Sequence, residues 1–260
     1  MRRAITILLL TFMVQQAVAR NTGARSGGMP GDAGQWSYAG ETGPAHWASL
    51  SEAFSQCGTG RHQSPVDINI RETQQTPLPP LNFHYRTSIL SIDREGGRLW
   101  IDYDSGSYLK IRGNRYKLRG FDFHTPGEHS FNGNLADMEI HLYHLDSQGN
   151  RLIVAIPVIG GHRNNFTLSR IWENIPKRSG NRHYRQVGIN PMFLLPSDRS
   201  YAFYSGSETK PPCVENVQWV VFTNPLNVSK SDISRFRDIV GSNARPIQPL
   251  NGRIVLQDSH

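Results

Sequence analysis

The stretch Phe121-Asp122-Phe123-His124-Thr125-Pro126-Gly127-Glu128-His129, followed by Met138-Glu139-Ile140-His141-Leu142-Tyr143-His144, decides how this chain is read. Side chains alternate across an extended strand. Asp122 and His124 therefore share one face, and Glu139, His141 and Tyr143 share another. If the two strands pair, Asp122, His124 and His141 converge on one point. Two imidazoles and a carboxylate suit a divalent metal, zinc among them, although such a set with open positions also suits iron. The bland alternative is a pair of packing or hydrogen-bonded strand histidines beside an ion-paired carboxylate.

Outward from this pair, the sequence reads as short strands broken by turns. Residues 88–92, 98–103, 107–111, 118–124, 138–145, 152–159 and 218–223 are rich in β-branched and aromatic residues with partial alternation. Asn132-Gly133 and Gln148-Gly149-Asn150 mark tight turns. Helical signals are fewer: residues 169–175, ended by Pro176, and residues 229–240. The latter has Ser229 or Ser231 as N-cap, Asp232 in its first turn and Gly241 as its stop. The expected class is mainly β (α+β), one sheet-dominated domain with peripheral short helices.

The N-terminus has a different character. Arg2 and Arg3 precede an apolar run over residues 5–14, and Ala17-Val18-Ala19 forms a small-residue cleavage site. This predicts a signal peptide over 1–19, a Gly-rich flexible leader over 20–34 and the folded domain over 35–260. The apolar run is too short to span a bilayer, and no later stretch is long enough either. The expected location is therefore exported, periplasmic or extracellular. In such a compartment Cys57 and Cys213 are expected to form a disulfide rather than remain two separate buried thiols. The sequons at Asn165 and Asn227 matter only in a eukaryotic host. The formal net charge is +7, of which Arg2 and Arg3 supply two. The remainder is spread along the chain without a basic run interleaved with aromatics, which argues against nucleic-acid binding.

Dispersed blocks in the order of residues 35–255 resemble the α-class carbonic anhydrases, especially secreted bacterial-type members. They include Trp36-Ser37-Tyr38, His46-Trp47, Gln63-Ser64-Pro65-Val66-Asp67-Ile68, the opening strands, Pro211-Pro212-Cys213, Trp219-Val220-Val221 and Arg245-Pro246. The resemblance implies a central, twisted, mostly antiparallel ten-stranded sheet with a conical cleft. At its base a zinc ion on three histidines would activate water for attack on carbon dioxide, giving bicarbonate. It also implies roles: His124 and His141 as zinc ligands, Glu139 orienting His141, and Thr209 orienting the nucleophile while donating to Glu128. His129, Val154 and Trp219 would shape the cleft, and Cys57–Cys213 matches the family's disulfide.

The departures cluster at the expected site. Asp122 stands in place of the first histidine ligand, and Gly120 in place of an amide side chain. Tyr143 and Glu208 replace apolar lining residues, and Lys210 replaces a small hydroxyl residue. Arg98 stands near the position of a proton-shuttle histidine and cannot serve as one. Lys210 and Arg98 are the candidate ion-pair partners of Asp122, while His129 and His144 read as structural hydrogen-bonding residues. His62 and His162 cannot be placed relative to the cleft. Two functions follow as expectations: a zinc-dependent hydratase of reduced activity acting on carbon dioxide and bicarbonate, or a catalytically silent binding module with a protein or glycan partner. A weaker third is a site recruited for another metal or for ester cleavage. If the rest of the cleft is intact, Asp122→His is expected to raise zinc affinity.

Overall fold

The computed structural model describes residues 35–259 apart from Gly96 and Ser105. The expected signal peptide and leader lie outside the described residues. Ten strands form a continuous sheet: β1 (Gln74–Thr76), β2 (Ser88–Glu95), β3 (Arg98–Asp102), β4 (Asn114–His124), β5 (Met138–Leu145), β6 (Arg151–Gly161), β7 (Gly180–Ile189), β8 (Tyr201–Ser207), β9 (Glu215–Phe222) and β10 (Leu256–Asp258). Their order across the sheet is β7-β2-β3-β4-β5-β6-β9-β8-β10-β1. Three strands beside this path, Asn82–His84, Tyr108–Ile111 and Leu226–Ser229, bring the sheet to thirteen. Most neighbours are antiparallel. The exceptions are the pairings of β6 with β9, of β6 with Leu226–Ser229, and of β10 with β1.

β4, β5 and β6 run through the middle and are covered on both sides, so β6 reads as an almost continuous apolar run, Leu-Ile-Val-Ala-Ile-Pro-Val-Ile. On one face Phe121, Phe123, Ile140 and Leu142 join the larger core, against α1 (Phe166–Glu173) and α2 (Lys230–Val240). Trp172 of α1 stacks on Phe236 of α2 at 4.8 Å, and Phe123 meets Trp172 edge-on at 4.8 Å. The opposite face carries a smaller cluster that includes Ile153, Ala155, Tyr204 and Trp219. The chemistry-bearing residues stand on this second face.

Several elements start or stop elsewhere than the sequence suggests, each for a local reason. α1 begins at Phe166 because the Asn165 side chain accepts from the N–H groups of Thr167 and Leu168. This occupies the Asn165 sequon with capping. α2, by contrast, keeps its expected ends: the Ser229 hydroxyl caps it by accepting from the N–H of Asp232, and Gly241, with φ +73°, stops it. β4 begins at Asn114 because Tyr108–Ile111 pairs with its first half. β7 has no expectation behind it: as an edge strand bearing Arg182 and Arg185, largely exposed, it has no apolar alternation to betray it. Cys57 and Cys213 are bonded, joining the turn Gln56–Thr59 to the loop after β8. Among the described residues no helix is long and apolar enough to cross a membrane.

Candidate metal site

The register of β4 against β5 sets His141 opposite Asp122, Glu139 opposite His124 and Tyr143 opposite Gly120. Asp122, His124 and His141 thereby meet on one face, with ligand atoms within 4.8 Å of one another. All three are almost wholly buried. His124 Nε2 lies 3.3 Å from Asp122 Oδ1. That matches the edge of a tetrahedron whose ligand bonds are about 2.0–2.1 Å, roughly 3.3–3.4 Å.

Each imidazole has its far nitrogen fixed. His124 Nδ1 lies 3.0 Å from the Asn243 carbonyl, so Nδ1–H donates there and Nε2 is turned to Asp122. His141 Nε2 lies 2.6 Å from Glu139 Oε1, leaving Nδ1 buried and without a partner. Glu139 also serves His129, accepting from its backbone N–H at 2.9 Å and lying 2.7 Å from its Nδ1. His129 Nε2 is 2.7 Å from the Tyr204 hydroxyl, which donates to Ser64 Oγ. Burial opposes ionisation of Glu139, but His129 and His141 together hold its carboxyl well below the usual range. Burial also opposes a charged His124, yet the Glu128 and Asp122 carboxylates raise its pKa to about 9. Burial and the neighbouring His124 push His141 down.

Asp122 has different company. Its Oδ2 is 2.6 Å from Lys210 Nζ and accepts from the Tyr143 hydroxyl at 3.1 Å. The ammonium also stands 4.3 Å from the Tyr143 ring centroid and 5.0 Å from that of Trp100. Burial raises the Asp122 pKa, but Lys210 and His124 outweigh it and keep the carboxyl far below its ordinary value. Trp100 explains the glycine opposite Tyr143: a Cβ on Gly120 would come within 2.3 Å of Trp100 Cζ2 and 2.5 Å of the Ile101 carbonyl. Of the two candidate counter-ions, Lys210 pairs with Asp122. Arg98 turns instead to Glu95 at 2.9 Å and Asp93 at 3.8 Å. Glu208 pairs with Arg151 at 3.1 Å.

Thr209 and Glu128 are both buried and lack the bond expected between them. Thr209 Oγ1 and Glu128 Oε2 are both buried with no hydrogen-bond partner. Glu128 Oε1 accepts from the Arg245 N–H at 2.7 Å. Its carboxylate is instead near both rings, 3.4 Å from His124 Nδ1 and 3.7 Å from His141 Nδ1. Trp219 stands edge-on to His141 and His129. Val154 is a correction. It belongs to the larger core on the other face, while Ile153, opposite Tyr143, and Ala155, opposite His141, flank the site. A displacement of one residue along a strand reverses the face. His144 likewise points away, 2.7 Å from the Tyr85 hydroxyl. His62 and His162 are exposed.

Sequence reasoning passed over Trp100, Asn243 and Tyr204. Trp100 lies within the strand expected at 98–103, and its pairing opposite Asp122 shows only once β3 is placed beside β4. The residues present fit a tetrahedral divalent ion: two oriented imidazoles, one with an orphaned nitrogen, and a carboxylate oxygen turned to the other share one buried point.

Residues 42–259 match the family profile described as eukaryotic-type carbonic anhydrase. A carbonic anhydrase of Nostoc sp. is 36% identical over 226 residues, covering 85% of this chain and 85% of the relative. The α-carbonic anhydrase of Thermovibrio ammonificans, solved with sulfanilamide, superposes with a TM-score of 0.81 at 36% identity, covering 86% of this chain and 99% of that one. Dioscorin DB3L of Dioscorea polystachya is 31% identical over 223 residues, covering 82% of this chain and 81% of its own.

Proposed function

This chain belongs to the eukaryotic-type carbonic anhydrase family, and from that premise we propose that it is an exported hydratase converting carbon dioxide to bicarbonate. Its zinc would be held by Asp122, His124 and His141, and its turnover would be slower than that of a three-histidine site. The observation that carries this reading is the buried convergence of those ligand atoms, with His141 Nδ1 left unpartnered at its centre. Zinc, when bound, supplies the Lewis acidity that makes water a nucleophile at neutral pH.

The chain's own residues prepare the rest. The Asn243 carbonyl and Glu139 fix the tautomers of His124 and His141, so that Nε2 of one and Nδ1 of the other face inward. Thr209 Oγ1 and Glu128 Oε2, both unpartnered, are the groups that would orient an incoming nucleophile. Trp219, Ile153 and Ala155 form an apolar wall suited to carbon dioxide. Tyr143 and the ammonium of Lys210, a residue only 9% exposed, narrow what remains. That crowding is the reason for the slower turnover. Arg98, always charged and paired with Glu95 and Asp93, leaves proton export to the buffer.

The same crowding favours a second reading, a catalytically silent member of the family that presents this fold to a protein or glycan. Zinc analysis of protein purified without chelator, followed by stopped-flow carbon dioxide hydration, separates the two. The hydratase reading predicts about one zinc per chain and measurable hydration. Near-zero zinc after soaking would sink it in favour of the silent module.

A further inference from the structure

Asp122 brings a negative charge to a position where the family resemblance implies a neutral imidazole. The two oxygens of this carboxylate have separate surroundings. Oδ1 faces His124 Nε2 at 3.3 Å, on the side of the convergent ligand atoms. Oδ2 takes the Lys210 ammonium at 2.6 Å and the Tyr143 hydroxyl at 3.1 Å. Carboxylates that ligate metals are held in this way, by hydrogen bonds to the oxygen that does not ligate.

The charge count points the same way. Carboxylate and ammonium together sum to zero, the formal charge of the imidazole they displace. Among the described residues no other lysine or arginine is turned on Asp122. Arg98 is engaged by Glu95 and Asp93, and Arg151 by Glu208. The Arg245 guanidinium donates to Gln63 Oε1 and to the carbonyls of Ser64 and Cys57. Lys210 is delivered from a loop with little freedom: Cys213 N–H donates to the Lys210 carbonyl at 2.8 Å, across Pro211-Pro212, and Cys213 is bonded to Cys57. Its ammonium lies over the rings of Trp100 and Tyr143, and Trp100 needs the missing side chain of Gly120. Four departures from the family pattern thus form one packed unit.

We propose that Asp122 and Lys210 act as a single neutral unit in the place of one imidazole, with Oδ1 left for the metal and the ammonium cancelling the charge at Oδ2. Neither residue is then useful without the other. The inference rests on the hydratase reading for its metal, but the pairing has a signature of its own. It also reverses the expectation for Asp122→His, which on its own strands a buried ammonium beside an incoming dication.

Four proteins test it: wild type, Lys210→Thr, Asp122→His and the double variant. Removing one member of a buried ion pair leaves the other uncompensated. In the metal-free proteins each single change should therefore lower the melting temperature by roughly 6–12 °C, and the double change should recover most of that loss. Zinc affinity, measured by competition with a chromophoric chelator, should be about 10–100-fold weaker in Asp122→His than in the double variant. Melting temperatures that simply add, or an Asp122→His protein that binds zinc as tightly as the double variant, would overturn the inference while leaving a zinc-loaded wild type as a hydratase. Zinc bound by the double variant and not by wild type, with melting temperatures still coupled, would overturn the hydratase reading and keep the interdependence of the pair.

Discussion

The histidine half of the site and the Asp122 half stand on the same two strands and are built by opposite means. Around Glu139 three ring nitrogens are fixed by short contacts, His141 Nε2 and His129 Nδ1 on one carboxylate oxygen and His129 Nε2 at the Tyr204 hydroxyl. Around Asp122 the order comes from opposed charge and rings packed edge-on, through Lys210, Tyr143 and Trp100. Hydrogen bonds to an imidazole are directional, so a change at one member disturbs the next. A charge pair over aromatic faces is less demanding in angle and accepts concerted replacement. The difference fits the clustering, in the Asp122 half, of the departures that the family resemblance implies.

The sharpest way to break this comparison is Glu139→Gln. It removes a buried carboxylate shared by two imidazoles and should cost about 3–5 kcal/mol of folding stability in urea titration. A loss under about 1 kcal/mol would show that the histidine half is no more connected than the other.

Titration of the metal-free protein should separate two histidines of opposite sign. Burial lowers His144 to about 4, against about 6.5 in the unfolded chain. Its contribution is present above pH 6.5 and is lost as pH falls towards 4, roughly 3 kcal/mol in all. For His124 burial acts downward but the carboxylates of Glu128 and Asp122 prevail, raising it to about 9. Its contribution is present below pH 6.5 and is lost as pH rises through 9, again about 3 kcal/mol. Equilibrium unfolding across pH 4 to 10 should give a dome. His144→Gln should flatten only the acid limb and His124→Gln only the alkaline one; a single variant that flattens both would refute the assignment.

Smaller effects sharpen the Asp122 half. Gly120→Ala forces a Cβ against Trp100 and the Ile101 carbonyl and should cost about 1–3 kcal/mol. Adding Trp100→Ala should return part of that loss, and no recovery would mean that the backbone contact alone demands glycine. Arg98→His, which provides a group that titrates near neutrality, should raise hydration a few-fold at low buffer and leave it unchanged at high buffer. An equal gain at both concentrations would show that proton export is not what Arg98 limits.

Much of this was legible in the sequence. Alternation alone put Asp122 and His124 on one face and Glu139, His141 and Tyr143 on another, and the register of β4 and β5 joins the two. The ten-stranded sheet and its peripheral helices follow from the family blocks. What stayed hidden depends on contacts between distant segments. Asn243 reaches His124 from 119 residues away, and Tyr204 reaches His129 from 75. Val154 was assigned to the wrong face because similarity in sequence carries no guarantee of strand phase. Lys210 could be named as a partner of Asp122, yet nothing in one dimension decides between it and Arg98. That choice is made by the loop that presents it.

This loop has a further consequence. A dissolved cation that neutralised Asp122 would come and go with ionic strength, but Lys210 is covalently attached and held in place by Pro211-Pro212 and the Cys57–Cys213 bridge. Its effective concentration at the carboxylate is fixed by geometry and far exceeds that of any salt outside. The electrical balance of the site is thus insulated from the surrounding medium, because a buried contact of 2.6 Å is far shorter than the Debye length of about 8 Å at physiological salt and is scarcely screened.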